Sequence, residues 1–268
     1  MRKISILAVF LLTFLGSVAQ QKITVEDIYT GAFRAKGMEE LQSMKNTNQY
    51  TVLNTDRTTR SQQIDLYDYA TLKKLATLID TKNHKDLADG IDSYTFSSDE
   101  KQMLIASNSN PIFRHSFTAD YYLYSLETKS LTKLFDQVQE PTFSPDGTKI
   151  AFAQKNNLYV YSIATKSTVQ ITTDGSKNSI INGITDWVYE EEFAFVKAFD
   201  WSANSQKIAY IKFDESQVPE FSMNIFQKEL YPAVETFKYP KAGEKNASVS
   251  LHLYDTAQNL TKNVDLSN

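Results

Sequence analysis

No cysteine occurs in the 268 residues, which removes at once a disulfide framework, a thiol nucleophile and a thiolate metal site. Histidine is nearly as scarce. His84, His115 and His252 stand apart, none at a metal-ligand spacing from another, so neither a metal site nor a cofactor is expected. An excess of positive charge is also missing: 28 Lys and Arg face 32 Asp and Glu, for a formal net charge of -4. That is not the balance of a nucleic-acid binder. Beyond the first residues no segment resembles a transmembrane helix, and the apolar run from Ile4 to Leu15 is itself too short to span a bilayer comfortably. Stability must therefore come from packing.

That short run follows Arg2 and Lys3 and leads into Gly16-Ser17-Val18-Ala19, a small-residue cleavage site before Gln20. Residues 1–19 thus read as a secretory signal peptide, and the expected product is soluble and periplasmic or secreted. A lipoprotein would need a cysteine at the cut. Cleavage would leave 26 basic side chains against 32 acidic ones, so the mature chain is more acidic still.

Residues 20–48 read as a helical and linker segment, with short apolar-periodic pieces broken at Gly31 and Gly37. From Gln49 the texture becomes all-β, in short runs such as Tyr50-Thr51-Val52-Leu53 and Ile64-Asp65-Leu66-Tyr67 separated by polar turns. Two elements then repeat. Tyr94-Thr95-Phe96-Ser97-Ser98-Asp99, Pro141-Thr142-Phe143-Ser144-Pro145-Asp146-Gly147 and Phe199-Asp200-Trp201-Ser202-Ala203-Asn204 each precede a four-residue apolar run. Such runs, lacking polar alternation, predict strands buried on both faces. The second element is a hairpin closing on a polar turn, at Leu66–Thr71, Leu123–Lys129, Val160–Lys166 and Leu253–Ala257. Together they predict four-stranded blades, so residues 49–268 read as an incomplete β-propeller, with a β-sandwich as the alternative.

The spacing of the copies singles out one stretch. Phe96 and Phe143 are 47 positions apart, whereas Phe143 and Trp201 are 58 apart, and the surplus contains Thr185-Asp186-Trp187-Val188-Tyr189-Glu190-Glu191-Glu192-Phe193. Two carboxylates about 4 Å apart at an effective dielectric near 20 repel by roughly 4 kcal/mol, so a converging pair holds a proton or sits beside a cation. A substrate ammonium would serve. The alternative is that Asp186 caps a short helix and the glutamates lie in its first turns, where the macrodipole favours negative charge. A second irregular piece, Ser107 to Asp120, carries aromatics around Arg114 and His115; taken alone, both read as ordinary loop residues.

The segment Asn182-Gly183-Ile184-Thr185-Asp186-Trp187-Val188-Tyr189-Glu190-Glu191-Glu192 resembles the signature of the dipeptidyl peptidase IV family of serine peptidases. Arg114-His115-Ser116, the Phe143-Ser144-Pro145-Asp146-Gly147 turn, and Tyr239-Pro240-Lys241-Ala242-Gly243 followed by Asn246 resemble that family in the same order. The likeness runs from about Ile23 to the end. It implies the N-terminal part of an eight-bladed propeller that covers an α/β-hydrolase domain. It also implies that Glu191 and Glu192 bind the free N-terminal ammonium of a peptide substrate while Arg114 binds a backbone carbonyl near the scissile bond. Glu190 is left a structural role. Holding the amine at a fixed distance from a nucleophile sets cleavage after the second residue, typically proline or alanine. Relatives dimerise, so a homodimer of the full-length protein is a further expectation.

The departures are equally informative. No Gly-x-Ser-x-Gly elbow occurs, so no residue here is expected to be catalytic, and the catalytic domain is expected to lie outside this chain. Ala247 stands where the family usually has the proline of an Asn-Pro pair. The resulting expectation is a portion of an exported dipeptidyl peptidase that binds the substrate amine and is inactive alone. Its rival is a stand-alone periplasmic propeller-like protein that binds peptides or proteins without chemistry.

Overall fold

The computed structural model describes residues 23–35, 40–56 and 58–266, and the expected signal segment lies outside them. The chain divides after Glu40 into two units. In the first, helix α1 (Val25–Thr30) is fixed by a capping box: the Thr24 hydroxyl accepts from the Asp27 N–H while the Asp27 carboxylate accepts from the Thr24 N–H. The second unit opens with strand β1 (Leu41–Ser43), whose residues pair with Val52 to Tyr50. The sheet thus starts inside the segment expected to be helical and linker, before Gln49.

Strands β1, β2 (Gln49–Thr55), β3 (Gln62–Asp68) and β4 (Lys74–Asp80) form a four-stranded antiparallel meander. The next blades are joined. Strands β5 (Ser93–Phe96), β6 (Gln102–Pro111), β7 (Phe117–Ser125), β8 (Leu131–Phe143), β9 (Lys149–Gln154), β10 (Asn157–Ser162) and β11 (Ser167–Gln170) follow one another in a single seven-stranded sheet. The reason is β8, which pairs with β7 from Leu131 to Val138 and with β9 from Gln139 to Phe143. Gln137 and Glu140 adopt positive φ at the handover, bending the strand from one blade into the next. Two four-stranded units therefore share one strand, in keeping with the expected all-β partial propeller.

The last sheet contains β12 (Ile180–Asn182), β13 (Phe199–Trp201), β14 (Lys207–Asp214), β17 (Ser248–Asp255) and β18 (Leu260–Asn263). Both β12 and β13 pair with β14, at Lys212–Asp214 and Ile208–Tyr210 respectively. They are two pieces of one inner strand, and helix α2 (Trp187–Phe193) is the excursion between them. A separate hairpin, β15 (Glu220–Ile225) and β16 (Ala233–Lys238), leaves the sheet between β14 and β17.

The four-residue apolar runs bury both faces, as their composition predicts. Met103 and Ile105 join a cluster with Ile64 and Leu78 on one side of β6, while Leu104 and Ala106 join Phe135 and Ile150 on the other. Ile150 and Phe152 of β9 face that second cluster, and Ala151 faces a third with Trp201 and Tyr254. Each large side chain so buried contributes about 1.5–3 kcal/mol.

The repeated Ser-x-Asp turn also has a physical cause. The Ser144 hydroxyl donates to Asp146 at 2.6 Å and accepts from the Lys149 N–H at 2.9 Å. Ser97 with Asp99 and Gln102 repeats this, as does Ser202 with Asn204 and Lys207. The fourth turn position takes positive φ each time, in Glu100, Gly147 and Ser205, and only Gly147 does so without a steric penalty.

Candidate functional site

Helix α2 starts where the Asp186 carboxylate accepts the Tyr189 N–H at 2.9 Å, and it ends at Ala194 in the left-handed region. Burial raises the Asp186 carboxyl above its ordinary range, against the pull of that hydrogen bond. The excursion is closed at its base by the Thr185 N–H donating to the Val196 carbonyl and the Ala198 N–H donating to that of Gly183. Gly183 has φ 76, and a Cβ there would stand 2.9 Å from Leu158 Cδ1, so a side chain at the point where the chain leaves the sheet would combine backbone strain with crowding of Leu158.

The three glutamates separate into three environments, because successive residues of a helix diverge by about 100°. Glu190 turns inward and is 1% exposed. Its Oε1 accepts the His115 N–H at 2.7 Å and the Ser116 N–H at 2.8 Å. Glu191 is half-buried, and its Oε2 accepts from Arg114 Nε at 2.8 Å. Glu192 is exposed, with no hydrogen bond or ion pair among the described residues. The cap expected of Asp186 is present, but only Glu190 lies in the first turn. Glu191 and Glu192 occupy the last turn, where the helix dipole disfavours negative charge, so helix stability does not account for them.

Arg114 comes from the turn between β6 and β7, 77 positions away in sequence from Glu191. Within that turn the Ile112 N–H donates to the Ser116 carbonyl and the Phe113 N–H to the Ser116 hydroxyl. The turn is pinned to α2 by the buried Glu190. Arg114 is itself largely exposed and uses only Nε here, so its terminal NH2 groups have no partner among the described residues. His115 serves through its backbone; its ring makes no hydrogen bond, ion pair or ring contact among the described residues.

The Tyr239 segment converges on the same place. Trp187 packs against Tyr239 with ring centroids 4.4 Å apart and against Phe237 at 6.3 Å, while Phe113 of the arginine turn lies 6.1 Å from Phe237. Ala247, in place of the usual proline, is buried beside Phe213 and Val218. Sequence reasoning missed the part played by the His115 and Ser116 amides, since backbone donors leave no signal in residue type. It also missed Glu215, which follows Asp214 directly after β14 and belongs to no motif. Burial, with the Asp186 charge adding to it, pushes the Glu215 carboxyl up to about 7. No group of three or more His, Cys, Asp and Glu among the described residues could hold a metal ion. No helix among them is long and apolar enough to cross a membrane.

Residues 97–268 match the family described as the dipeptidyl peptidase IV (DPP IV) N-terminal region. Dipeptidyl aminopeptidase B of Saccharomyces cerevisiae is 37% identical over 168 residues, covering 61% of this chain and 20% of the yeast protein. Human prolyl endopeptidase FAP is 31% identical over 246 residues, covering 87% of this chain and 30% of that protein. The crystal structure of Porphyromonas gingivalis dipeptidyl peptidase 4 superimposes with a TM-score of 0.85 at 38% identity, covering 94% of this chain and 36% of that one. The chain thus spans only a fifth to about a third of the length of these relatives. With well over half its length inside the match, the chain belongs to the dipeptidyl peptidase IV N-terminal region family.

Proposed function

We propose that this chain is the amine-recognising portion of an exported serine dipeptidyl peptidase that releases Xaa-Pro or Xaa-Ala dipeptides. Glu191 and Glu192 hold the free N-terminal ammonium of a peptide substrate, and the terminal NH2 groups of Arg114 hold a backbone carbonyl of the same peptide. The bond-breaking groups belong to an α/β-hydrolase domain outside this chain. The observation that carries the reading is the convergence of Arg114 on Glu191 at 2.8 Å, over a turn locked in place by Glu190. Carboxylates at the last turn of a helix, beside an arginine with unused donors, suit a peptide N-terminus, an ammonium next to a backbone carbonyl, better than they suit the helix.

The test is a complete enzyme carrying this region, assayed with a dipeptidyl-proline reporter bearing a free or an acetylated amine. Strong preference for the free amine, lost on neutralising the two acids, is the expected result. Equal turnover of both reporters would end the reading. The 268-residue chain alone should bind free-amine peptides without cleaving them.

Export of the mature chain after cleavage before Gln20 is part of the proposal and rests on the Arg2–Ala19 pattern. N-terminal sequencing of the exported protein tests it, and retention of Met1 in membrane fractions would refute it. A homodimer of the full-length protein is supported by the tip between β15 and β16, where Phe226, Leu230 and Tyr231 are each at least 80% exposed. Sedimentation of the complete protein with these three residues changed to serine decides it: the expected change is from dimer to monomer.

A further inference from the structure

A cavity of about 480 Å³ beside the start of α2 has no part in the reading above. Its lining includes Asp186, Trp187, Glu215 and Phe237, but not Arg114, Glu191 or Glu192. A void of that size accommodates a small organic molecule.

Glu215 is what makes this cavity chemically specific. It is 5% exposed, and its carboxyl has no hydrogen bond or ion pair among the described residues. Buried carboxyls are ordinarily paired, since an unpaired one has lost its water without compensation. The other charged groups lining the cavity do not supply the partner. Asp186 is also an acid, and Glu235 adds a third. Lys238 is engaged elsewhere, its Nζ donating to the Val218 carbonyl at 2.8 Å and pairing with Glu220 at 3.7 Å. Lys155 and Lys177 sit at exposed positions, and among the described residues Lys238 is the cation whose charge bears on Glu215.

The walls complete the picture. Trp187, Phe237 and Phe113 present neighbouring aromatic surfaces, and aromatic faces beside a desolvated carboxylate are a recognised environment for an organic cation. We propose that this cavity binds a small primary amine, its ammonium against Glu215 and its apolar body against Trp187 and Phe237. With burial holding the carboxyl near neutrality, the site takes a cation as pH rises and Glu215 loses its proton.

The probe is benzylammonium, with benzyl alcohol as its neutral counterpart. Titration is followed by amide chemical shifts in the full chain carrying Glu191→Gln and Glu192→Gln, which removes the neighbouring acids from competition. Benzylammonium should bind saturably and shift Asn156, Gly175 and Trp187, with affinity falling roughly tenfold or more from about pH 8 to about pH 5.5 as Glu215 is protonated. Glu215→Gln should abolish binding, whereas Glu215→Asp, which keeps a charge at a shorter reach, should weaken it. In the parent the Glu215 carboxyl should titrate at lower pH when the amine is present. The proposal is overturned by benzyl alcohol binding as well as the amine, by full affinity in Glu215→Gln, or by an absence of shifts at the cavity in protein whose spectrum is that of the folded chain.

Discussion

The Glu190 carboxylate and the Ser116 backbone amide meet at 2.8 Å across 74 positions of sequence, and the same oxygen also takes the His115 amide. This contact decides where Arg114 stands, because the arginine occupies the position just before the two donors. Replacing Glu190 by alanine removes two charge-assisted bonds and leaves two N–H groups without their acceptor. The expected loss is about 3 kcal/mol of stability, with a melting temperature lower by roughly 6–12 °C. Glu190→Gln keeps one acceptor oxygen and should cost less than half as much. Thermal melts of both variants check the order.

Glu191 and Glu192 predict a different pattern. In a complete enzyme, Glu191→Gln or Glu192→Gln should lower kcat/KM for free-amine substrates about tenfold to a hundredfold, the effect of losing a charge-assisted bond of roughly 1.5–3 kcal/mol. Glu192→Gln should leave an acetylated substrate unaffected, and Glu191→Gln should touch it only through the released Arg114. Of the two, Glu191→Gln should cost more, because it also releases Arg114 from its partner. Steady-state kinetics with the two reporters measures this.

Glu215 gives stability a pH dependence of its own. Its folded value of about 7 lies above its ordinary value of 4.5, so between those values the folded chain binds more protons than the unfolded one. Stability from this group is therefore full below about pH 4.5 and is lost as pH rises to about 7, by roughly 3 kcal/mol. Glu215→Gln lacks this loss. Urea melts should show the variant more stable than the parent at about pH 8, with the gap closing near about pH 4.5.

Gly183→Ala tests the point where the chain leaves the sheet. An alanine at φ 76, with its Cβ 2.9 Å from Leu158, combines backbone strain with overpacking. The expected cost is about 2–4 kcal/mol. Because α2 hangs from this point, the amides of His115 and Ser116 should also lose protection from hydrogen exchange.

The parts of this molecule that were legible in its sequence are those in which residue type dictates local geometry. Ser144 and Asp146 announce their turn because few other pairs close that hydrogen-bond ring, and Ile150 to Ala153 announce a doubly buried strand by lacking any polar alternation. The sharing of β8 between blades was not legible. It depends on positive φ at Gln137 and Glu140, residues that carry no turn signal. The surplus length around the acidic stretch was visible as an insertion, but its place within a strand rather than between strands was not, since β12 and β13 become one strand only through their common partner β14. The site divides in the same way. The acids and Arg114 stand out as residue types in a motif, whereas the anchoring amides and the burial of Glu215 depend on distant segments meeting.

The broken inner strand separates two design problems. Because β14 runs unbroken past both pieces, the register of the blade is set without reference to how many residues lie between Asn182 and Phe199. The length and pitch of that segment alone set how far the acids project from the sheet. Lengthening or shortening it would act as a ruler adjustment, moving the point at which a peptide's first residue is held while the scaffold beneath keeps its pairing.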